Sequence, residues 1–233
     1  MTTPEVVPAD PGALADRLRR HPERRRLVIG ICGAPGSGKS RLAGLIADQL
    51  NSALPGLAVV VPMDGFHLAA SVIAADDRRT RRGAPDTFDP EGYAVLLQRL
   101  RENADDITYA PQYRREIADP VAGAIPVPRG CRYILTEGNY LLHPSRAWRA
   151  VRESLDEVWF LQAASDELRL QRLIARHEQF GETPNEAFQH ATGSDEHNAK
   201  LIAEHSEHAD LILHEVLSRT IRESSGSTPP RMA

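Results

Sequence analysis

The run Gly33-Ala34-Pro35-Gly36-Ser37-Gly38-Lys39-Ser40 sets a lysine and a hydroxyl directly after a glycine-rich turn. It fits the pattern GxxxxGK[ST], whose chemistry is the holding of a phosphate chain. Glycines at 33, 36 and 38 let backbone N–H groups turn inward around phosphate oxygens, and the start of a following helix adds partial positive charge. Lys39 can reach the β and γ oxygens, while the Ser40 hydroxyl can take a place on Mg2+. Gly33 to Arg41 therefore read as the seat of a nucleoside triphosphate. A chance glycine-rich turn is the competing reading, and the flanking residues argue against it. Leu27–Cys32 is an apolar run of strand type, and the next ten residues put Leu42, Leu45, Ile46 and Leu50 on one helical stripe.

Three further groups bear on what happens to the terminal phosphate. Asp64, in Pro62-Met63-Asp64-Gly65-Phe66-His67, follows a second apolar run. In open α/β sheets the ligand crevice lies beyond the carboxyl ends of the strands, which sets this carboxylate facing the phosphate loop. There it can accept the proton of a hydroxyl attacking the γ-phosphate. Asp-Gly alone would be an ordinary turn; beside the phosphate loop the catalytic reading is preferred. Glu137 ends the run Arg132-Tyr-Ile-Leu-Thr-Glu137-Gly-Asn139 and stands where a strand-end carboxylate holds Mg2+, directly or through water. Arg169, Arg172 and Arg176 recur along one helix, and Arg172 and Arg176 are the two expected to neutralise the transferring phosphate. Helical arginines are more often solvated, so position has to carry that expectation.

The elements that must position these residues are legible in outline. Leu27–Cys32, Leu57–Val61, Tyr133–Thr136, Val158–Leu161 and Leu211–Leu213 read as buried strands separated by helices, the pattern of a parallel sheet covered on both faces. Asp10-Pro11, Asp89-Pro90 and Ser165 read as helix starts. The second of these opens a helix with Tyr93, Leu96, Leu97 and Leu100 on one stripe, and the third one with Leu168, Leu170, Leu173 and Ile174 largely inward. The proline-rich stretch 107–129 suits an extended flap or irregular hairpin, and 168–184 suits a lid. One domain is expected over 1–222, with a disordered tail at 223–233.

Bulk composition narrows the class. Of 233 residues, 41% are hydrophobic and 26% charged, ordinary for a soluble domain, and the net charge of −4 argues against a general nucleic-acid binder. No apolar run is long enough to span a bilayer, and the first residues lack a signal-peptide layout. Cys32 and Cys131 read as small buried hydrophobes of a reducing compartment, so a cytoplasmic location without membrane attachment is expected. The arginine cluster from Arg17 to Arg26 reads as a solvated face; the second, Arg78 to Arg82, is flanked by residues that bear on the acceptor.

Taken together, the phosphate loop, Met63-Asp-Gly-Phe-His67, Arg82-Gly-Ala-Pro-Asp-Thr-Phe-Asp89, the 109–125 flap, Thr136-Glu-Gly-Asn-Tyr140 and the arginine-bearing lid resemble the uridine kinase, phosphoribulokinase and bacterial-type pantothenate kinase group of P-loop kinases. The resemblance covers about residues 27–215 and is nearest to the small nucleoside/nucleotide or fructose-type sugar kinase-like branch. It implies a three-layer P-loop sandwich with a five-stranded parallel sheet in the order 2-3-1-4-5, and Asp64 as general base. It further implies ATP with Mg2+ as the donor, and as acceptor a small metabolite bearing a hydroxyl. His67, Arg82, Asp86, Tyr113, Arg115 and Asn139 fall on its acceptor side. Uridine kinases tend to have Tyr-Asp-Phe in the flap, whereas here Tyr113 is followed by two arginines, which counts against a pyrimidine nucleoside. The preferred acceptors are a sugar such as fructose, then a nucleoside, then pantothenate. A homodimer is left open. The alternative is a nucleotide-dependent switch or chaperone without an acceptor; Lys39 and Lys200 are the only lysines, and neither sits in an Asn-Lys-x-Asp guanine-reading motif.

Overall fold

Side-chain alternation along the strands sorts the molecule into two cores. The computed structural model describes residues 3–22, 25–75, 78 and 81–216. Its first half contains β1 (Glu5–Pro8), α1 (Pro11–Arg19), β2 (Leu27–Cys32), α2 (Lys39–Asn51), β3 (Ala58–Val60), α3 (Ala70–Ala75) and α4 (Pro90–Glu102). A hairpin of β4 (Ile107–Arg114) and β5 (Asp119–Pro128) follows, then β6 (Tyr133–Gly138), α5 (Arg146–Glu153) and β7 (Glu157–Gln162). The chain continues through α6 (Asp166–Gln179), α7 (Pro184–Thr192) and α8 (Ser194–Ala203) to β8 (Leu211–His214).

Every residue of β2 is buried. Leu27, Ile29 and Ile31 pack with Leu14 and Leu18 of α1 and Leu42 and Ile46 of α2. Val28 and Cys32 belong to the other core, with Tyr93 and Leu97 of α4 and Trp148 of α5. Helices thus cover both faces of the sheet, giving an α/β/α sandwich. The helix starts are fixed locally. Asp10 accepts from Ala13 N at 2.7 Å, Asp89 from Gly92 N at 2.9 Å and the Ser165 hydroxyl from Leu168 N at 3.1 Å. Each such cap stabilises its helix by about 1 kcal/mol.

The sheet order is β1-β8-β7-β2-β6-β3, with every pairing parallel. The five strands expected from sequence stand in the expected order, β3-β6-β2-β7-β8, but the sheet has six strands rather than five. The extra one, β1, is four residues long and pairs with β8 at the edge. Its brevity, flanking prolines and exposed Val6 leave no buried-strand signature, and an edge is where a strand tolerates proline.

The hairpin β4–β5 is a separate two-stranded antiparallel sheet with an irregularity between Ala110 and Gln112. It reaches back to the loop after β3, where Gly65 lies against the Pro111 backbone.

Two expectations need correction. The first arginine cluster is not uniformly a solvated face, because Arg26 is buried and donates to the carbonyls of Cys131 (2.8 Å), Leu100 (2.9 Å) and Pro128 (2.7 Å). It ties the end of α4 to the chain between β5 and β6. In α6 only Leu173 of the four apolar positions is fully buried; the other buried side chain is Arg169. The tail 223–233 lies outside the described residues, as do Arg79 and Thr80 of the second arginine cluster. Cys32 and Cys131 are buried free thiols, and burial pushes Cys32 up to about 11. Among the described residues no helix is long and apolar enough to cross a membrane.

Candidate active site

The phosphate loop joins β2 to α2 and turns through left-handed backbone at Gly36 (φ 79°) and Gly38 (φ 93°). No side chain caps the start of α2, so its first N–H groups remain directed at whatever the loop encloses. Lys39 Nζ lies 3.5 Å from Ala34 O, folded back over the loop. Gly36 packs against α6: a Cβ there would stand 2.6 Å from Arg169 O. Arg169 also donates to Pro35 O at 3.4 Å and pairs with Asp166 and Glu196, so this guanidinium is a strut between loop, α6 and α8.

Strand β6 lies beside β2 with Glu137 opposite Ile31, which brings that carboxylate to the loop. Ser40 Oγ donates to Glu137 Oε1 at 2.9 Å. Glu137 is buried, and burial raises its pKa against the opposing pull of Lys39. A buried carboxylate and a hydroxyl in contact are hard oxygen donors, and among the described residues Glu137 has no ion-pair partner. That donor set fits Mg2+, which combines one or two protein oxygens with phosphate oxygens.

Asp64 sits in the 3-10 turn Met63–Phe66 just beyond β3, which flanks β6 on the side away from β2. Sheet order therefore delivers Asp64, Glu137, Lys39 and Ser40 to one end of the sheet, where all four line a cleft of about 510 Å³. The same cleft takes in His67, Arg82, Tyr113, Arg115 and Asn139. The His67 ring stacks on Phe88 at 3.9 Å and meets Tyr113 at 5.1 Å. Burial lowers the His67 pKa, Asp64 opposes this, and Arg82 and Arg115 add to it, so the imidazole is kept neutral. His67 Nδ1 and Asn139 Oδ1 are buried without a hydrogen-bond partner. Asp86 is not brought in; it pairs with Arg81 at the surface, 2.8 Å away.

A second cleft of about 410 Å³ opens on the other side of Lys39 and Ser40, bounded by Gly36 to Arg41, Leu45 and Arg172. Ala9 before α1, Pro11 at its first position, and Glu215 and Val216 after β8 close it. Arg172 makes a two-pronged ion pair with Glu215 at 2.8 and 2.6 Å and lines this cleft only. Arg176 lines both. Leu45, placed on the buried stripe by its spacing, is instead 39% exposed here, an apolar surface facing the cleft.

Several lining residues carried no signal in the sequence. His190, Asp195 and Asn198 join the larger cleft because α7 and α8 fold over it, alongside Phe180 and Glu182 of the expected lid. His177 Nδ1 lies 3.0 Å from Glu182 and Nε2 lies 2.8 Å from Asp195, while His190 Nδ1 is 2.8 Å from the other Glu182 oxygen. His177, Glu182 and His190 have ligand atoms within 4.8 Å of one another and could hold a metal ion. Their hydrogen bonds also suffice to join the three lid helices. Only Asp195 followed by Glu196 near a helix start could have hinted at this corner.

Known proteins match both the chain and the fold, although no family model matches. A Schizosaccharomyces pombe protein described provisionally as uridine kinase C227.14 is 31% identical over 218 residues, covering 91% of this chain and 92% of its own length. The uncharacterised Escherichia coli protein YggC is 34% identical over 192 residues, 82% of this chain and 78% of its own. A Silicibacter sp. TM1040 crystal structure, described provisionally as a fructose transport system kinase, superposes with a TM-score of 0.78 at 34% identity, covering 87% of this chain and 98% of that one. Kinase names recur among the relatives, so ATP-dependent phosphoryl transfer to a small metabolite is the activity they share with this site. With the phosphate loop, the adjoining carboxylates and these matches over most of the chain in view, the chain belongs to the uridine kinase-like group of P-loop kinases.

Proposed function

We propose that this kinase transfers the γ-phosphate of Mg·ATP to a hydroxyl of a small polyhydroxylated metabolite held between Asp64 and the β4–β5 hairpin. The observation that carries the reading is the meeting of two clefts at Lys39, Ser40 and Arg176. The smaller cleft offers Leu45, Pro11 and Val216 as apolar cover for a nucleobase, with the Arg172–Glu215 pair at its edge. The larger offers Asp64 and two unpartnered polar atoms, His67 Nδ1 and Asn139 Oδ1, to a hydroxylated acceptor.

In this reading the loop amides of Gly36 to Ser40 hold the phosphate chain, and Lys39 bridges its terminal oxygens. Ser40 and Glu137 would hold Mg2+, which neutralises phosphate charge when bound. Asp64 orients the acceptor hydroxyl and takes its proton as the new P–O bond forms. Arg176, entering both clefts from α6, balances the charge spread over the transferring group. Arg172 and Arg41 act on the donor side. The lid helices α6 to α8 exclude water, which suppresses hydrolysis.

The test is to incubate the protein with Mg·ATP and a panel of sugars, polyols, hydroxy acids, nucleosides and pantothenate, following phosphate on the acceptor by mass. An acceptor that gains a phosphate and raises ATP turnover above the water-only rate is expected. Turnover that no acceptor stimulates would instead mark a nucleotide-dependent switch.

A further inference from the structure

The larger cleft is lined by four carboxylates, Asp64, Glu137, Glu182 and Asp195, yet two of its arginines touch none of them. Arg81 and Arg169, outside its lining, and Arg172, in the smaller cleft, are each paired with a carboxylate. Arg82 and Arg115, inside it, have no carboxylate within ion-pairing distance among the described residues. Both are nevertheless held in place. Arg82 donates to Ala118 O in the hairpin turn and lies over the Tyr113 ring, 5.6 Å from its centre. Arg115 lies over the Phe180 ring at 5.1 Å, joining hairpin to lid. Glu116, inside that turn, is exposed and makes no ion pair among the described residues, and Asp119 is occupied by Ala70 N at 2.7 Å. Guanidinium groups fixed by a carbonyl and by aromatic faces keep most of their five donors free.

The donor does not account for them. Lys39, Arg176 and the loop amides already serve the triphosphate, whereas Arg82 and Arg115 flank His67 and Tyr113 on the hairpin side. His67 is itself kept neutral and adds no counter-charge. A neutral sugar or nucleoside would leave both guanidiniums without an anion in contact, Asp64 and Glu137 acting on them only across the cleft. An anionic group would satisfy both, and arginine forks match carboxylate and phosphate oxygens in two-point geometry.

We propose that the acceptor is an anionic hydroxylated metabolite whose carboxylate or phosphate is seated by Arg82 and Arg115 while its hydroxyl faces Asp64. The inference rests on the kinase reading above and narrows it, setting a neutral sugar such as fructose behind acidic acceptors. Where the Tyr-Asp-Phe pattern would run, the chain has Tyr113-Arg114-Arg115: Arg115, in the place of the second aromatic, enters the cleft, while Arg114, in the place of the aspartate, is exposed outside its lining.

Matched pairs test it: glycerol against D-glycerate, D-ribose against ribose 5-phosphate, and D-fructose against fructose 6-phosphate, each with Mg·ATP. The anionic member of a pair should be phosphorylated with at least about 10-fold higher kcat/KM, and the glycerate and sugar-phosphate arms separate carboxylate from phosphate. Arg115→Gln and Arg82→Gln should each raise KM for that acceptor about 10- to 100-fold, the usual effect of deleting a charged hydrogen bond. The KM of its neutral partner should hardly move. A neutral member favoured over its anionic partner overturns the proposal. So does an Arg115→Gln variant that loses kcat equally with both, since Arg115 then serves the transferring phosphate. If no compound is phosphorylated, the kinase reading is at fault, and the anion site is read separately by calorimetry. Glycerate or ribose 5-phosphate should bind in the presence of a non-hydrolysable Mg·ATP analogue and lose that binding in both variants. No binding to the parent protein overturns the proposal.

Discussion

Gly36→Ala probes whether the phosphate loop and the lid are one mechanical unit. Gly36 has φ 79°, where an alanine costs about 1–2 kcal/mol. The added Cβ would lie 2.6 Å from Arg169 O and 2.9 Å from Leu173 Cγ, inside van der Waals contact with both. Arg169 cannot swing away cheaply, because its side chain is buried and tied to Pro35 O and Glu196. Forced overpacking of this kind costs about 1–3 kcal/mol. The sum, about 2–5 kcal/mol, corresponds to a melting point lower by roughly 5–15 °C for a chain of this size. Nucleotide affinity should fall by about 10-fold or more, because the loop amides that face the phosphates move with the strained turn. Gly44→Ala is the matched control. It lies inside α2, where an added Cβ has nothing within 4 Å, and should raise stability by about 0.5–1 kcal/mol. Thermal melts and calorimetry with a Mg·ATP analogue on both variants give the answer. A Gly36→Ala protein melting within about 1 °C of the parent refutes the clash. One that melts low yet binds nucleotide normally refutes the coupling of loop to lid.

Asp64→Asn should keep nucleotide affinity and lose phosphoryl transfer by a factor of about 10² or more; transfer near the parent rate removes Asp64 as base. Arg26→Met strips the three carbonyls of Cys131, Leu100 and Pro128 of their charged donor and should cost about 3–5 kcal/mol in urea melts. Arg81→Met, which breaks an exposed pair with Asp86, should change stability by less than about 1 kcal/mol, and comparable losses in the two would discredit the distinction. His143 has its pKa lowered, first by burial and then by His205. At this position the unfolded chain therefore binds more protons than the folded one below about pH 6.5, so its stabilisation is full above that value and drains as pH falls. His143→Gln should flatten the drop in melting temperature between about pH 7 and pH 5.5, and a profile that overlays the parent's would count against this assignment.

What could be read from the sequence was what local rules determine. The phosphate loop depends on glycines at fixed offsets and a following amphipathic helix, and both are short-range. The helix starts at Asp10, Asp89 and Ser165 were legible because capping involves neighbours within three residues. Residues whose roles depend on distant partners were not. Arg26 looks like any arginine of a basic run until the carbonyls of α4 and the β5–β6 link surround it. Leu45 completes an apolar stripe in projection, yet it stays partly exposed and borders a cleft. Arg172 and Arg176 lie one turn apart on α6, but Glu215, far along the chain, holds the first on the donor side alone. β1 was missed because two prolines and an exposed valine do not make a buried run.

The two clefts have different linings and share only Lys39, Ser40 and Arg176 among the described residues. In the proposed arrangement neither occupant has to leave before the other arrives, and both are present when the phosphoryl group moves. Initial-rate plots against one substrate at fixed levels of the other should intersect rather than run parallel. A γ-phosphate made chiral with oxygen isotopes and sulfur should emerge on the product with its handedness inverted, the signature of a single in-line displacement.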